Sequence, residues 1–231
     1  MGKNYFEFKH FVVHQERAAM KVGTDGTLLG AWAEGGNHVL DIGTGTGLIA
    51  LMIAQRYPEA QIDAIDIDKD ACWQATENVK ASPYCGRITV HHSSIQHFAD
   101  ISAQRYDAII CNPPFFERAL KNPDKRKTIA RHTDSMEYGE LFSAVARLLE
   151  RENGIFSVII PADCRSRFDE EAVYVGLFSR HVLSVKTKYN KPPKRYLLSY
   201  SFNVQTSIES QSLILGDEKY KHLVDDFYLH K

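Results

Sequence analysis

Short apolar runs alternate along the chain with longer stretches in which apolar residues return every three or four positions. The runs are VLDI at 39–42, IDAIDI at 62–67, ITVHH at 88–92, YDAIIC at 106–111 and GIFSVII at 154–160. Rich in Val and Ile, they predict strands buried on both faces, as in a parallel sheet. LIALMIAQRY, KDACWQATENVKA and MEYGELFSAVARLLE carry helical spacing between them. Strand alternating with helix predicts a doubly wound α/β fold, a mostly parallel sheet with helices on both faces. After residue 180, HVLSVKTKY and RYLLSYSFNV flank the turn-forming Asn190-Lys191-Pro192-Pro193-Lys194, so a closing antiparallel hairpin completes a seven-stranded sheet. Residues 37–206 are expected to form this core, with 1–33 as an N-terminal extension and 207–231 as a polar tail of one domain.

Composition changes this picture little: 231 residues, 44% hydrophobic and 25% charged, suit one larger globular domain. A formal net charge of -1 gives no global field for a polyanion, so such a partner must be met by a local basic surface. Cys72, Cys85, Cys111 and Cys164 are widely spaced, with no CxxC pair and no clustered histidines, which predicts neither a disulfide framework nor a metal site. The absence of an apolar leader core in MGKNYFEFKHF, and of any apolar stretch near 20 residues, leads to the expectation of a cytoplasmic protein without a membrane span.

Leu40-Asp41-Ile42-Gly43-Thr44-Gly45-Thr46-Gly47 lies where a buried strand gives way to a helix. Glycines there permit a tight turn and let a ligand approach the backbone at a helix N-terminus. A dinucleotide fingerprint wants G-x-G-x-x-G, but Gly47 arrives one residue early and Leu48 takes its place, which favours a nucleoside ligand without a pyrophosphate. Asp66, with Ile67 beside it, ends the next strand about 20 residues on, where a carboxylate can accept from two ribose hydroxyls. The bland alternative is that Asp66 caps the helix beginning near Lys69 and Asp41 sets the turn.

Asn112-Pro113-Pro114-Phe115 follows the fourth strand, at the carboxyl edge where open α/β sheets bind ligands. An aromatic or amide amine is a poor nucleophile because its lone pair is delocalised. Two acceptors aimed at its N–H bonds would draw it toward tetrahedral geometry. The Asn112 side-chain oxygen supplies one and the Pro113 carbonyl the other, since consecutive prolines fix φ and keep that carbonyl out of a ladder. Phe115 offers a stacking face, worth roughly 1 to 3 kcal/mol for a nucleobase. A rigid turn with Phe115 and Phe116 as core is the structural alternative.

Two basic segments flank this run. Arg118, Lys121, Lys125, Arg126, Lys127 and Arg131 stand against one acid, Asp124, in a stretch long enough for a flap. The hairpin adds Lys186, Lys188, Lys191, Lys194 and Arg195, interleaved with Tyr189 and Tyr196. Flanking one site in chain order, such segments fit a phosphate backbone, with two solvated loops as the structural alternative.

The glycine loop with its acidic strand end resembles the Rossmann-like class I methyltransferases that use S-adenosylmethionine, over residues 37 to about 160. That resemblance implies Asp41, Gly43, Thr44, Gly45, Gly47, Asp66 and Ile67 as cofactor residues. It also implies an adenine contact at Ser94, where the family often has Asp. The NPPF run is similar to the [DNS]-P-P-[FYW] signature of methyltransferases acting on exocyclic or amide nitrogen. KVGTDGTLLGAW at 21–32 and PKRYLL at 193–198 extend the resemblance, over nearly the whole chain, to the bacterial tRNA1(Val) adenine-N6-methyltransferases. It implies tRNA as substrate, methylated on the adenine just 3′ of the anticodon, and implies Thr24 and Asp25 at the methionine end of the cofactor pocket. A release-factor-type glutamine methyltransferase and a noncatalytic RNA-binding relative remain as alternatives.

Overall fold

In the computed structural model, which describes residues 4–17, 21–113 and 138–229, the predicted alternation takes shape as an eight-stranded sheet. A small hairpin of β1 (Tyr5–Glu7) and β2 (Val12–His14) precedes helix α1 (Thr24–Trp32). There follow β3 (His38–Ile42), α2 (Leu48–Arg56), β4 (Gln61–Asp66), α3 (Lys69–Lys80), β5 (Ile88–His92), α4 (Ile95–Ile101) and β6 (Ala108–Cys111). The chain resumes with α5 (Tyr138–Leu148), β7 (Ile155–Pro161), α6 (Arg165–Tyr174), β8 (Phe178–Lys186), β9 (Arg195–Ser201), β10 (Glu209–Ile214) and α7 (Glu218–Val224).

The sheet order is β10-β8-β9-β7-β6-β3-β4-β5. Parallel pairing joins β7, β6, β3, β4 and β5, and β9 runs antiparallel between β7 and β8. The order reverses between β3 and β6, so their carboxyl ends open a crevice at the switch point.

Neighbouring strand residues go to opposite faces, which is why the runs read as continuously apolar. Val39, Ile110, Ile159 and Leu197 pack on one side with Leu51, Met52 and Leu29. Leu40, Ile109, Val158 and Leu198 pack on the other with Phe142, Phe156 and Phe168.

The structure departs from the sequence reading at both ends. The segment read as a polar tail contributes β10, paired in parallel with β8, so the sheet has eight strands, not seven. Only Leu213 of that strand is buried, and backbone pairing rather than an apolar pattern holds it. The first residues fold back on the last, with Phe8 bridged to Tyr228 and the Lys9 amide donating to the Phe227 carbonyl. The four cysteines are free. Among the described residues no helix is long and apolar enough to cross a membrane.

Candidate active site

Beyond Ile42 the backbone turns through Gly43, Gly45 and Gly47, at φ of 70°, 56° and 80°, a region that side-chain-bearing residues avoid. A Cβ at Gly43 would meet no heavy atom within 4 Å, so the loop faces open space on its ligand side. The Gly43 and Thr44 amides donate to the Ile65 carbonyl at 2.9 and 3.0 Å, fastening the loop to the end of β4.

Asp66 reaches back across that junction. Its Oδ2 accepts from the Gly45 amide at 2.8 Å and its Oδ1 from the Asp68 amide at 2.9 Å. Asp68, not Asp66, caps α3, accepting from the Asp70 amide. The capping alternative for Asp66 therefore falls away, and its carboxylate braces the glycine turn with lone pairs to spare. Ile67 next to it is 74% exposed, an apolar surface at the sheet edge. Ser94 caps α4, its Oγ accepting from the His97 amide at 3.2 Å, which leaves the hydroxyl its proton and a second lone pair.

Asp41 is buried; Oδ2 accepts from the Thr44 hydroxyl at 2.6 Å and Oδ1 has no partner among the described residues. Burial pushes its carboxyl up to about 7, against the lowering effect of the Thr44 hydrogen bond. The unfolded chain releases this proton in the ordinary carboxylate range, whereas the folded chain holds it to about pH 7. The stabilising effect is complete at acid pH and is lost as pH rises through that window, at a slope of roughly 1.4 kcal/mol per unit. Urea unfolding between pH 4.5 and 7.5 is expected to show a component of that slope, absent in Asp41→Asn; an identical slope in the variant would refute it.

Cys111, ending β6, has its thiol pushed well up by burial, with Asp41 and Asp66 adding to it, so it is inert as a nucleophile. Asn112 follows, and its Oδ1 is buried with no partner among the described residues. The first turn of α1 sits against it: a Cβ at Gly26 would lie 3.2 Å from Leu48 Cδ2 and 3.8 Å from Asn112 Nδ2. Thr24 and Asp25 open this helix and so stand on its first turn. The Asp25 carboxylate accepts from Arg195 Nε at 2.8 Å, tying β9 to α1. Arg195, read from sequence as an RNA contact, is therefore engaged with Asp25, while Lys191 and Lys194 are exposed on the hairpin tip. Pro161 pairs with Arg195, which puts this tip beyond the carboxyl end of β7, on the same edge as Asn112.

Pro113 is buried beside Asn112. Pro114, Phe115 and the basic residues Arg118, Lys121, Lys125, Arg126, Lys127 and Arg131 lie outside the described residues. The edge also holds Arg165, 4.7 Å over the Tyr196 ring, and Arg167, 4.9 Å over Tyr138, which sequence reasoning passed over. Asp163, Asp169, Glu170 and Glu171 surround them in sequence and hide them in any count of charge.

An open glycine turn, a braced strand-end carboxylate and two buried orphan oxygens fit a nucleoside cofactor bearing a cationic group. Asp41, the glycine loop, Asp66 and Ile67 would hold it. These features on this sheet define a methyltransferase, and the family model for the methyltransferase small domain matches residues 23–155. A tRNA1(Val) (adenine(37)-N6)-methyltransferase of Phocaeicola vulgatus is 47% identical over 237 residues, covering 100% of both chains. Its counterpart in Trichodesmium erythraeum is 45% identical, covering 99% of each. The chain belongs to the tRNA1(Val) (adenine(37)-N6)-methyltransferase family.

Solved structures agree on the fold. A protein of Agrobacterium tumefaciens described as a predicted O-methyltransferase superposes with TM-score 0.67 at 14% identity, covering 90% of this chain and 98% of its own. A glycopeptide N-methyltransferase complexed with S-adenosylmethionine gives 0.57 at 11% identity, covering 79% and 100%.

Proposed function

We propose that this enzyme transfers the methyl group of S-adenosylmethionine to N6 of the adenine just 3′ of the anticodon, position 37, in tRNA1(Val), in the cytoplasm. The observation that carries the reading is the orphan Oδ1 of Asn112, buried at the carboxyl edge beside the first turn of α1. A buried acceptor without a partner costs stability, and an incoming N–H satisfies it.

Bound S-adenosylmethionine supplies an electrophilic methyl group. Asn112 Oδ1 accepts one N–H of the adenine amine and the Pro113 carbonyl the other, pulling the nitrogen out of conjugation and holding its lone pair toward the methyl carbon. As the N–C bond forms, the methyl C–S bond would break with its electron pair left on sulfur, giving S-adenosylhomocysteine; the nitrogen becomes acidic, both acceptors hold it more tightly, and its surplus proton leaves to water without a strong base. Phe115 stacks the base out of its loop, a cheap step where the base is already in a loop.

The full-length identity to enzymes of this name supports tRNA over a protein glutamine, whose amide would suit the same two acceptors. Labelled S-adenosylmethionine incubated with total tRNA or with a release factor separates the two: label recovered as N6-methyladenosine is expected, and label in protein alone sinks the reading. In the same assay Lys191→Glu with Lys194→Glu is expected to lower the salt slope of tRNA binding by about two and to weaken binding most at low salt. An unaltered slope would remove both lysines from the interface.

A further inference from the structure

The glycine loop is pinned from two sides, and only the Asp66 side is written in a motif. On the other side stands Asn78 of α3, 1% exposed. Its Nδ2 donates to the Thr46 carbonyl at 2.8 Å and to the His14 carbonyl at 2.8 Å, and its Oδ1 accepts from the His14 amide at 2.9 Å. Both donors are spent and one acceptor position is filled. One buried amide thus joins the cofactor loop to the end of β2.

Thr46 stands between two glycines of positive φ. A Thr–Gly–Thr–Gly turn left to itself samples both signs of φ at its glycines, swinging the Thr46 carbonyl and the amide planes on either side. Asp66 holds the Gly45 N–H and Asn78 the Thr46 C=O, so the planes that frame the turn are fixed from both ends. Ala75, three residues before Asn78, lies 3.4 Å from where a Gly47 Cβ would be, so this face of α3 walls the turn.

One helical turn before Asn78, Gln74 is also buried, but it reaches the segment before α1, accepting from the Arg17 amide at 3.3 Å. Among the described residues no hydrogen bond joins it to the glycine loop, and it provides an internal control.

We propose that Asn78 is a positioning residue for the cofactor: it holds the glycine turn in its binding shape and ties that shape to the N-terminal hairpin. The inference rests on reading the loop as the S-adenosylmethionine site. Being an amide, Asn78 acts without charge, so its effect is independent of salt.

S-adenosylhomocysteine binding, measured by calorimetry on the full chain without RNA, tests this. Asn78→Ala is expected to raise Kd about tenfold or more, as expected for losing one well-made hydrogen bond that orders a site. Gln74→Ala is expected to stay within about threefold, although both variants melt earlier. In turnover, the KM for S-adenosylmethionine rises more than kcat falls in Asn78→Ala. Should that variant not fold, Asn78→Ser, which retains one donor, is expected to show an intermediate Kd. Wild-type affinity in the folded Asn78 variant, or equal weakening by Gln74→Ala, overturns the proposal and leaves the cofactor reading standing. Failure of the wild-type chain to bind S-adenosylhomocysteine overturns both.

Discussion

Asn112→Ala is expected to cut kcat about a thousandfold while S-adenosylhomocysteine binds within about threefold of wild type. The size follows from what the amide oxygen does. It is a preorganised acceptor, buried and aimed at a position where positive charge grows on the amine, and removal of one such polar group costs roughly 10² to 10³ in rate. Here a second effect adds to it, because an amine no longer drawn from conjugation keeps its lone pair in the ring. Cofactor binding is spared, since the hydrogen bonds that shape the glycine turn come from Asp66, Asn78, Thr44 and Ile65 and not from Asn112. Single-turnover rates with saturating cofactor read the chemical step directly. A rate within tenfold of wild type would strip Asn112 of its role and move attention to the Pro113 carbonyl.

Asp66→Ala is expected to weaken S-adenosylhomocysteine binding by about a hundredfold or more. Two backbone amides donate to this carboxylate, from Gly45 and Asp68. Hydrogen bonds to a charged group contribute about 1.5 to 3 kcal/mol each, and two tenfold steps correspond to about 2.8 kcal/mol. The truncation frees the Gly45 amide, loosens the turn and removes the acceptor that a ribose would use. Asp66→Asn keeps an acceptor oxygen but sacrifices the charge, and is expected to lie between Ala and wild type. Calorimetric titration ranks the three; equal affinities would remove Asp66 from cofactor binding, both as ribose acceptor and as brace of the turn.

How much of this was legible depended on whether the partners were near in sequence. The glycine turn, Asp41, Asp66 and Asn112 each sit at the end of an apolar run, so the run announced the position. Where a residue's meaning came from a distant partner, the chain gave no sign. Asp25 and Arg195 are 170 residues apart, and nothing at either end hints at the other. Gln74 and Asn78 read as the polar positions of an amphipathic helix, because hydropathy cannot tell a side chain that meets water from one that meets a buried carbonyl. Helix α6 was missed for a related reason: only Phe168 and Ala172 are buried along it, too few to make a period. Ser94 carries a second task that the resemblance did not announce, the α4 cap.

Strand β10 has a bearing on self-association. A sheet edge is a template for pairing with another chain, and the hazard grows when the edge is apolar. β8 carries Val182, Leu183 and Val185, all buried, and β10 covers it with Glu209, Ser210, Gln211 and Ser212, all exposed. A chain cut after residue 206 would present the outer backbone edge of that apolar strand to its neighbours in solution. The stretch that looks most dispensable in the sequence would then be the guard against one copy of the sheet growing onto the next.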